Sequence, residues 1–283
     1  MLHFTVLLWG LTAILGKSIT LSAAAVVWYR TAIVIAVVFA ALVVRKRPLR
    51  LPLDRFIRLA GIGVLVAVHW LLFYGCIKVS GVAVAVLCLS TLALFTAVVE
   101  PLVFRRKFRT YEIMFGAIAV VGVLLLLKLE RLGSPLGLAM GIGSSLFSSA
   151  FGTMNGKVAK SEDPQMITLV ELGSACAATS LVFLWDPTMF AAPWAVPAAD
   201  FVKLIVLAIA CTVIPWMWSL RVLTVLSPYV VSLAVTLEPV YSMVIARVVW
   251  PETESFSTRF YVGAAALLAL NPLNVWVSRR MLR

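Results

Sequence analysis

AGIGVLVAVHWLLFYGCI, Ala60–Ile77, runs for eighteen residues without one aspartate, glutamate, lysine or arginine. That is close to the length of apolar helix that crosses a bilayer. Its large side chains show no alternation of period two, so it does not read as a barrel strand. Backbone groups in hydrocarbon have to bond within their own segment or within a closed barrel. The stretch therefore reads as a membrane helix.

Working outward, the pattern repeats ten times, with short polar joints between. The spans expected are 2–19, 24–44, 59–77, 82–103 and 113–127, then 135–156, 165–185, 201–220, 228–250 and 260–277. Sixty-three per cent of the residues are hydrophobic and 13% are charged, with a mean hydropathy of +1.06, so the class is an all-α integral membrane protein. No joint is long enough for a soluble domain. The first span follows Met1 without a basic leader or a cleavage site and is expected to be retained.

The net charge of +12 is distributed by side. Arg45–Arg58 holds six basic residues, Arg105–Arg109 four and the tail from Ser278 three, and Lys157, Lys160 and Arg221 fall on the same side. Lys17, Lys78, Lys128, Arg131, Lys203 and Arg259 fall on the other. Such asymmetry sets topology and puts both termini in the cytoplasm. It accounts for the charge without a nucleic-acid partner. Cys76, Cys88, Cys176 and Cys211 all lie within spans without ligand spacing, as reduced packing residues.

Five spans per half is an odd number, so two similar halves, 1–131 and 132–283, have to face opposite ways. A slide of 147 places Ser80 on Ser227, Val84 on Val231, Gly116 on Gly263, Ala117 on Ala264 and Ala119 on Ala266. A slide of 140 places Gly16-Lys17 on Gly156-Lys157. Inverted repeats of this kind build secondary transporters, with the substrate near the midplane where the repeats meet. A duplication kept only for folding is the plainer reading.

Leu8-Trp9-Gly10, Trp28-Tyr29-Arg30, Ser227-Pro228, Leu237-Glu238-Pro239 and Gly263-Ala264-Ala265 carry a resemblance over nearly the whole chain. The chain resembles the ten-helix EamA-type members of the drug/metabolite transporter superfamily. The resemblance implies two inverted five-helix repeats, residence in a bacterial inner membrane and export of small metabolites, amino acids and aromatic ones among them. Where the family closes spans four and nine with Gly-Glu, this chain has Phe104-Arg105 and Pro251-Glu252.

Glu238 is the first candidate site residue. It stands about eleven residues into span nine, where a charge costs roughly 2.5–3.5 kcal/mol and usually faces a cavity or a partner. It would hold a substrate ammonium or a proton, or else lock two helices together. Pro239 removes a helix hydrogen bond beside it. The slide of 147 sets Thr91, with Ser90 adjoining, opposite Glu238, although membrane hydroxyls often bond only their own backbone. His69, Trp70 and Tyr74 in span three and Trp216 in span eight form an aromatic group suited to a metabolite side chain or to simple packing. Trp9, Trp28, Trp185, Trp194, Trp250 and Trp276 read as an interfacial belt. Gly137, Gly141, Ser145, Ser149, Gly152 and Gly156 form a stripe of small residues that lets helices approach closely, and Asn155 beside it would line the pathway. Arg30 and Glu171 are intramembrane charges without an evident partner.

The rivals lack their signatures. With His3 and His69 as the only histidines and no HExxH, GxSxG or Walker motif, no enzyme, ATP-driven pump or cofactor is expected. A channel would need a filter loop or a ring of charge. The reading is a carrier with small-molecule substrate and lipid as its partners. A drug or other-metabolite exporter of the same fold, a channel or a structural membrane protein stand as alternatives, and a monomer stays open as the simplest assembly.

Overall fold

The computed structural model describes residues 1–129, 134–252 and 257–281. Arg131, the boundary between the two halves at 131/132 and the last two residues of the basic tail lie outside the described residues. Within the second helix of the Gly263-Ala264-Ala265 match, the side chain of Ala264 does too.

Among the described residues twelve α-helices trace the ten spans. In the first half they are α1 (Leu2–Ser18), α2 (Ala23–Val44), α3 (Leu53–Leu89), α4 (Leu92–Phe104) and α5 (Thr110–Leu129). The second half has α6 (Pro135–Val158), α7 (Pro164–Trp185), α8 (Ala198–Ala208), α9 (Ile214–Leu223), α10 (Pro228–Val235), α11 (Glu238–Val249) and α12 (Thr258–Met281). Side-chain oxygens of Ser22, Ser134, Asp163 and Ser227 cap α2, α6, α7 and α10 by accepting from first-turn amides. Among the described residues four helical stretches are long and apolar enough to cross a membrane by length and composition alone. The protein is an all-α integral membrane protein of ten transmembrane helices in two inverted five-helix repeats.

Helix packing follows the repeat. If the halves exchange, α1 corresponds to α6, α2 to α7, and the first part of α3 to α8 and α9. Accordingly α3 packs on α6 and α7, while α1 packs on α8 and α9 and α2 packs on α8. The pairs that map onto themselves, α2 with α7, α4 with α10 and α5 with α12, all touch.

The joints differ from simple loops at two places. The helices of spans three and four meet at Gly81 with no loop between them, where a φ of 86° and a ψ of 172° kink the chain. Only glycine adopts that region readily. Spans four and nine are each broken near mid-depth, at Ser90–Thr91 and at Thr236–Leu237. Both breaks are sealed alike. The amide of Thr91 donates to Cys88 O at 3.0 Å and that of Leu237 to Ala234 O at 3.1 Å. The threonine hydroxyls then donate to carbonyls three residues back, Thr91 to Cys88 at 2.7 Å and Thr236 to Leu233 at 2.6 Å. Tightened turns and hydroxyls of this kind are what let broken helices persist at membrane depth.

The small-residue stripe of α6 is mostly a packing face. A side chain on Gly137 would strike Ser80, one on Gly141 would strike Cys88 and one on Gly156 would strike Pro228. Ser145 donates to Cys88 O at 2.7 Å, and the hydroxyls of Ser149 and Thr96 lie 3.2 Å apart. Gly152 alone has nothing within 4 Å of an added Cβ.

Candidate functional site

The site begins with a local distortion in span eight. Between α8 and α9, residues Ile209–Val213 form a π-helical turn, and Pro215 has no N–H to give the carbonyl of Cys211 four residues before. Arg30 of α2, 1% exposed, takes up what this turn releases. Its Nη2 donates to Cys211 O at 3.2 Å and its Nε to the Thr212 hydroxyl at 2.6 Å. Nη1 donates to the Tyr74 hydroxyl at 2.9 Å, and the guanidinium carbon lies 4.0 Å from the centre of the Trp70 ring. A buried cation is thus held by neutral oxygens and an aromatic face.

Arg30 lines a cavity that encloses about 910 Å³, counting the part open to solvent. Glu238, the first residue of α11 and 5% exposed, lines the same cavity. An aromatic wall lines it as well. Trp70 and Trp216 meet edge to face at 5.7 Å, Trp216 stacks on Phe151 at 5.6 Å, and His69 lies 5.3 Å from Phe151. His69 is fixed through Nδ1 to Ser144, 2.8 Å from its hydroxyl and 2.9 Å from its carbonyl. The remaining polar wall is made by hydroxyls, Thr12, Thr96, Thr153 and Ser232 among them. Four buried polar atoms of lining residues have no hydrogen-bond partner among the described residues: Thr12 Oγ1, Thr153 Oγ1, Asn155 Oδ1 and Trp216 Nε1.

The cavity brings together five of the eight expected site residues, Glu238, His69, Trp70, Trp216 and Asn155. The other three stand behind it. The Tyr74 hydroxyl supports Arg30, Thr91 seals its own helix break, and Ser90 is buried outside the lining. Trp9, expected in the interfacial belt, lines the cavity instead, because α1 packs inward against α9, α10 and α11. Arg30, Thr12 and the hydroxyls of α6 and α10 were not anticipated. A lone arginine in an apolar span was the available signal for the first. Glu171 gains a partner too: Asn155 Nδ2 donates to its Oε2 at 3.2 Å.

The two ends of the molecule are tied across the repeats. At the end carrying the joints 45–52, 105–109, 159–163 and 224–227, Glu100 of α4 accepts from Arg106 Nε at 3.0 Å and from the Tyr229 amide of α10 at 2.6 Å. Arg106 also pairs with Glu112 at 2.7 Å. Burial works against the Arg106 charge, yet Glu112 and Glu100 outweigh it and raise its pKa above the ordinary arginine value. At the other end, Asp200 of α8 accepts from the Thr20 amide at 2.8 Å and the Thr20 hydroxyl at 2.6 Å. Lys203 pairs with Asp200 at 3.1 Å and donates to Ser18 O at 2.7 Å. Burial alone would push the Asp200 carboxyl up, but these donors together hold it below the usual aspartate value. The cavity lies between the ties and reaches towards the basic end, through Asn155, Ser219, Leu223 and Pro228.

Among the described residues no group of three or more histidine, cysteine, aspartate or glutamate side chains is placed to hold an ion.

A solved crystal structure superposes with a TM-score of 0.74 over 99% of this chain and 97% of its own, at 16% sequence identity, a likeness of fold. No curated protein matches by sequence. The EamA-like transporter family matches residues 1–128 and 135–270. A membrane fold of ten helices around a central cavity, matched over nearly its full length, is a transporter of the drug/metabolite type: the chain belongs to the EamA-like transporter family.

Proposed function

We propose that this transporter exports amino acids by alternating access across a bacterial inner membrane, with both termini in the cytoplasm. One observation carries the reading: a single cavity holds a buried guanidinium and a buried carboxyl on an otherwise aromatic and hydroxyl-bearing wall. An amino acid presents the complementary set. A guanidinium has five N–H groups, and the bonds of Arg30 to Thr212, Tyr74 and Cys211 engage one on each nitrogen. Each terminal nitrogen keeps a second N–H, which is left for a carboxylate to accept. Glu238 receives the ammonium. Trp70, Trp216, Phe151 and His69 take the side chain, with the indole N–H of Trp216 available to a polar one.

Alternating access gains support from the two ties, one at each end, since each joins one repeat to the other and the cycle would break them in turn. Loading from the cytoplasm is consistent with a cavity that reaches towards the basic end.

The test is counterflow of labelled aromatic and aliphatic amino acids in sealed proteoliposomes. Saturable exchange is expected, and Glu238→Gln should lower it by about 10-fold or more, the loss of one charge-assisted bond of about 1.5–3 kcal/mol. If Glu238→Gln exchanges like the parent, the carboxyl has no part in binding. If no amino acid exchanges, the cavity serves another metabolite or a drug.

A further inference from the structure

Glu171 is the acid that the cavity does not use. It sits in the eighth position of α7 with 0% of its surface exposed. Its Oε2 accepts one hydrogen bond, from the neutral amide of Asn155, and its Oε1 accepts none among the described residues. Its backbone is held against α3, where a Cβ on Gly63 would strike the Glu171 main-chain carbonyl. The carboxyl itself is fully buried and, among the described residues, bonded only to α6.

Among the described residues no cation is placed to balance it. From α2, Arg30 is engaged with Tyr74, Thr212 and Cys211. His69 of α3 is bound to Ser144 of α6. Lys157 of α6 and Arg221 of α9 are exposed to solvent. Arg55, at the start of α3, pairs with Glu162 in the joint between α6 and α7. Cys176 is the other titratable group on α7 and brings no positive charge. A carboxylate buried with one neutral donor and no counter-charge is a costly arrangement, and a bound proton removes the charge.

We infer that Glu171 is a proton-binding site, separate from the substrate cavity, that couples transport to the pH gradient through Asn155. Asn155 is the link because it faces both ways. Its Nδ2 reaches Glu171, while its Oδ1 has no protein partner and the residue lines the cavity. An ionised carboxyl is a pure acceptor and holds the amide nitrogen, so the carbonyl is what Asn155 offers the cavity. A protonated carboxyl donates, which favours the turned amide and presents N–H groups to the cavity instead. One proton thus exchanges an acceptor for a donor in the substrate's wall. The proton leaves to, or arrives from, water at the basic end, and no covalent bond changes other than the carboxyl O–H.

The inference rests on the carrier reading, and its test separates the two. In proteoliposomes, counterflow under equal pH reports exchange, and accumulation under an imposed pH gradient reports coupling. Glu171→Gln should keep exchange within about threefold, because Glu171 lies behind the cavity wall, and should lose gradient-driven accumulation. Accumulation that survives in Glu171→Gln, or a parent protein indifferent to the gradient, overturns the proton site. Absence of exchange in the parent overturns the carrier reading instead. Infrared spectroscopy of purified protein supplies a readout that transport does not touch. A protonated-carboxyl carbonyl band should be present in Glu238→Gln at some accessible pH, titrate, and vanish in the Glu171→Gln/Glu238→Gln double variant. If Glu171→Gln is inactive in both assays, that band decides, and its absence from Glu238→Gln overturns the proposal.

Discussion

At Arg30 the charge, the shape and the fixed orientation of the side chain act together. Arg30→Lys keeps the charge but replaces a fork by a compact ammonium, which cannot hold Cys211, Thr212 and Tyr74 and still present two parallel donors. The KM for amino-acid exchange should rise roughly 10- to 100-fold, the equivalent of about 1.5–3 kcal/mol, while kcat changes less. Gly152 gives the converse test. Nothing lies within 4 Å of an added Cβ there, and the residue lines the cavity. Gly152→Ala should preserve exchange and stabilise α6 by about 0.5–1 kcal/mol, whereas Gly152→Phe should fold with unchanged detergent stability and lose exchange. Glu238, Trp70 and Trp216 were legible in the sequence because a charge or a large ring in mid-span needs a reason. The hydroxyls were not. Thr96, Ser219 and Ser232 each donate to a carbonyl of their own helix, which makes them cheap anywhere in a span and silent about which face they occupy.

The elements add two breaks and one turn that hydropathy does not register. Spans four and nine read as continuous apolar runs, and only Pro239 hints that one of them is interrupted. The break at Ser90–Thr91 carries neither proline nor glycine. It became visible as the counterpart of Thr236–Leu237, sealed by the same pair of bonds. Gly81 is the sharper case. In sequence it is one small residue in a joint, and in the structure it replaces the joint, at a φ of 86°. Gly81→Ala should destabilise the protein by about 1–3 kcal/mol, measured as an earlier thermal transition in detergent. A matching loss is not expected for Gly61→Ala, where an added Cβ meets nothing within 4 Å.

Over the whole molecule the sequence determined the number of spans and their two-fold arrangement, because apolar length and an odd span count are strong signals. The ties between repeats escaped it, since their partners lie far apart in the chain: Thr20 and Asp200 are separated by 180 residues, and Glu100 and Tyr229 by 129. The Asp200 tie carries its own pH signature. With its pKa lowered in the folded state, Asp200 contributes stability that is fully present above the unfolded value of about 3.9 and is lost as pH falls through the folded value. Asp200→Asn should therefore lower stability by about 1–3 kcal/mol at pH 7, with the gap to the parent closing in acid, as read by thermal unfolding at the two pH values. The anchoring of Arg30 has a consequence for biogenesis. Tyr74 follows it by 44 residues, but Cys211 and Thr212 follow by 181 and 182. At about 5–20 residues per second, a ribosome delivers them roughly 10–40 s after Arg30 itself. Throughout that interval span two carries a cation with only Tyr74 and the Trp70 face to hold it, two of its three acceptors still unsynthesised, so its final seat is completed only when span eight arrives.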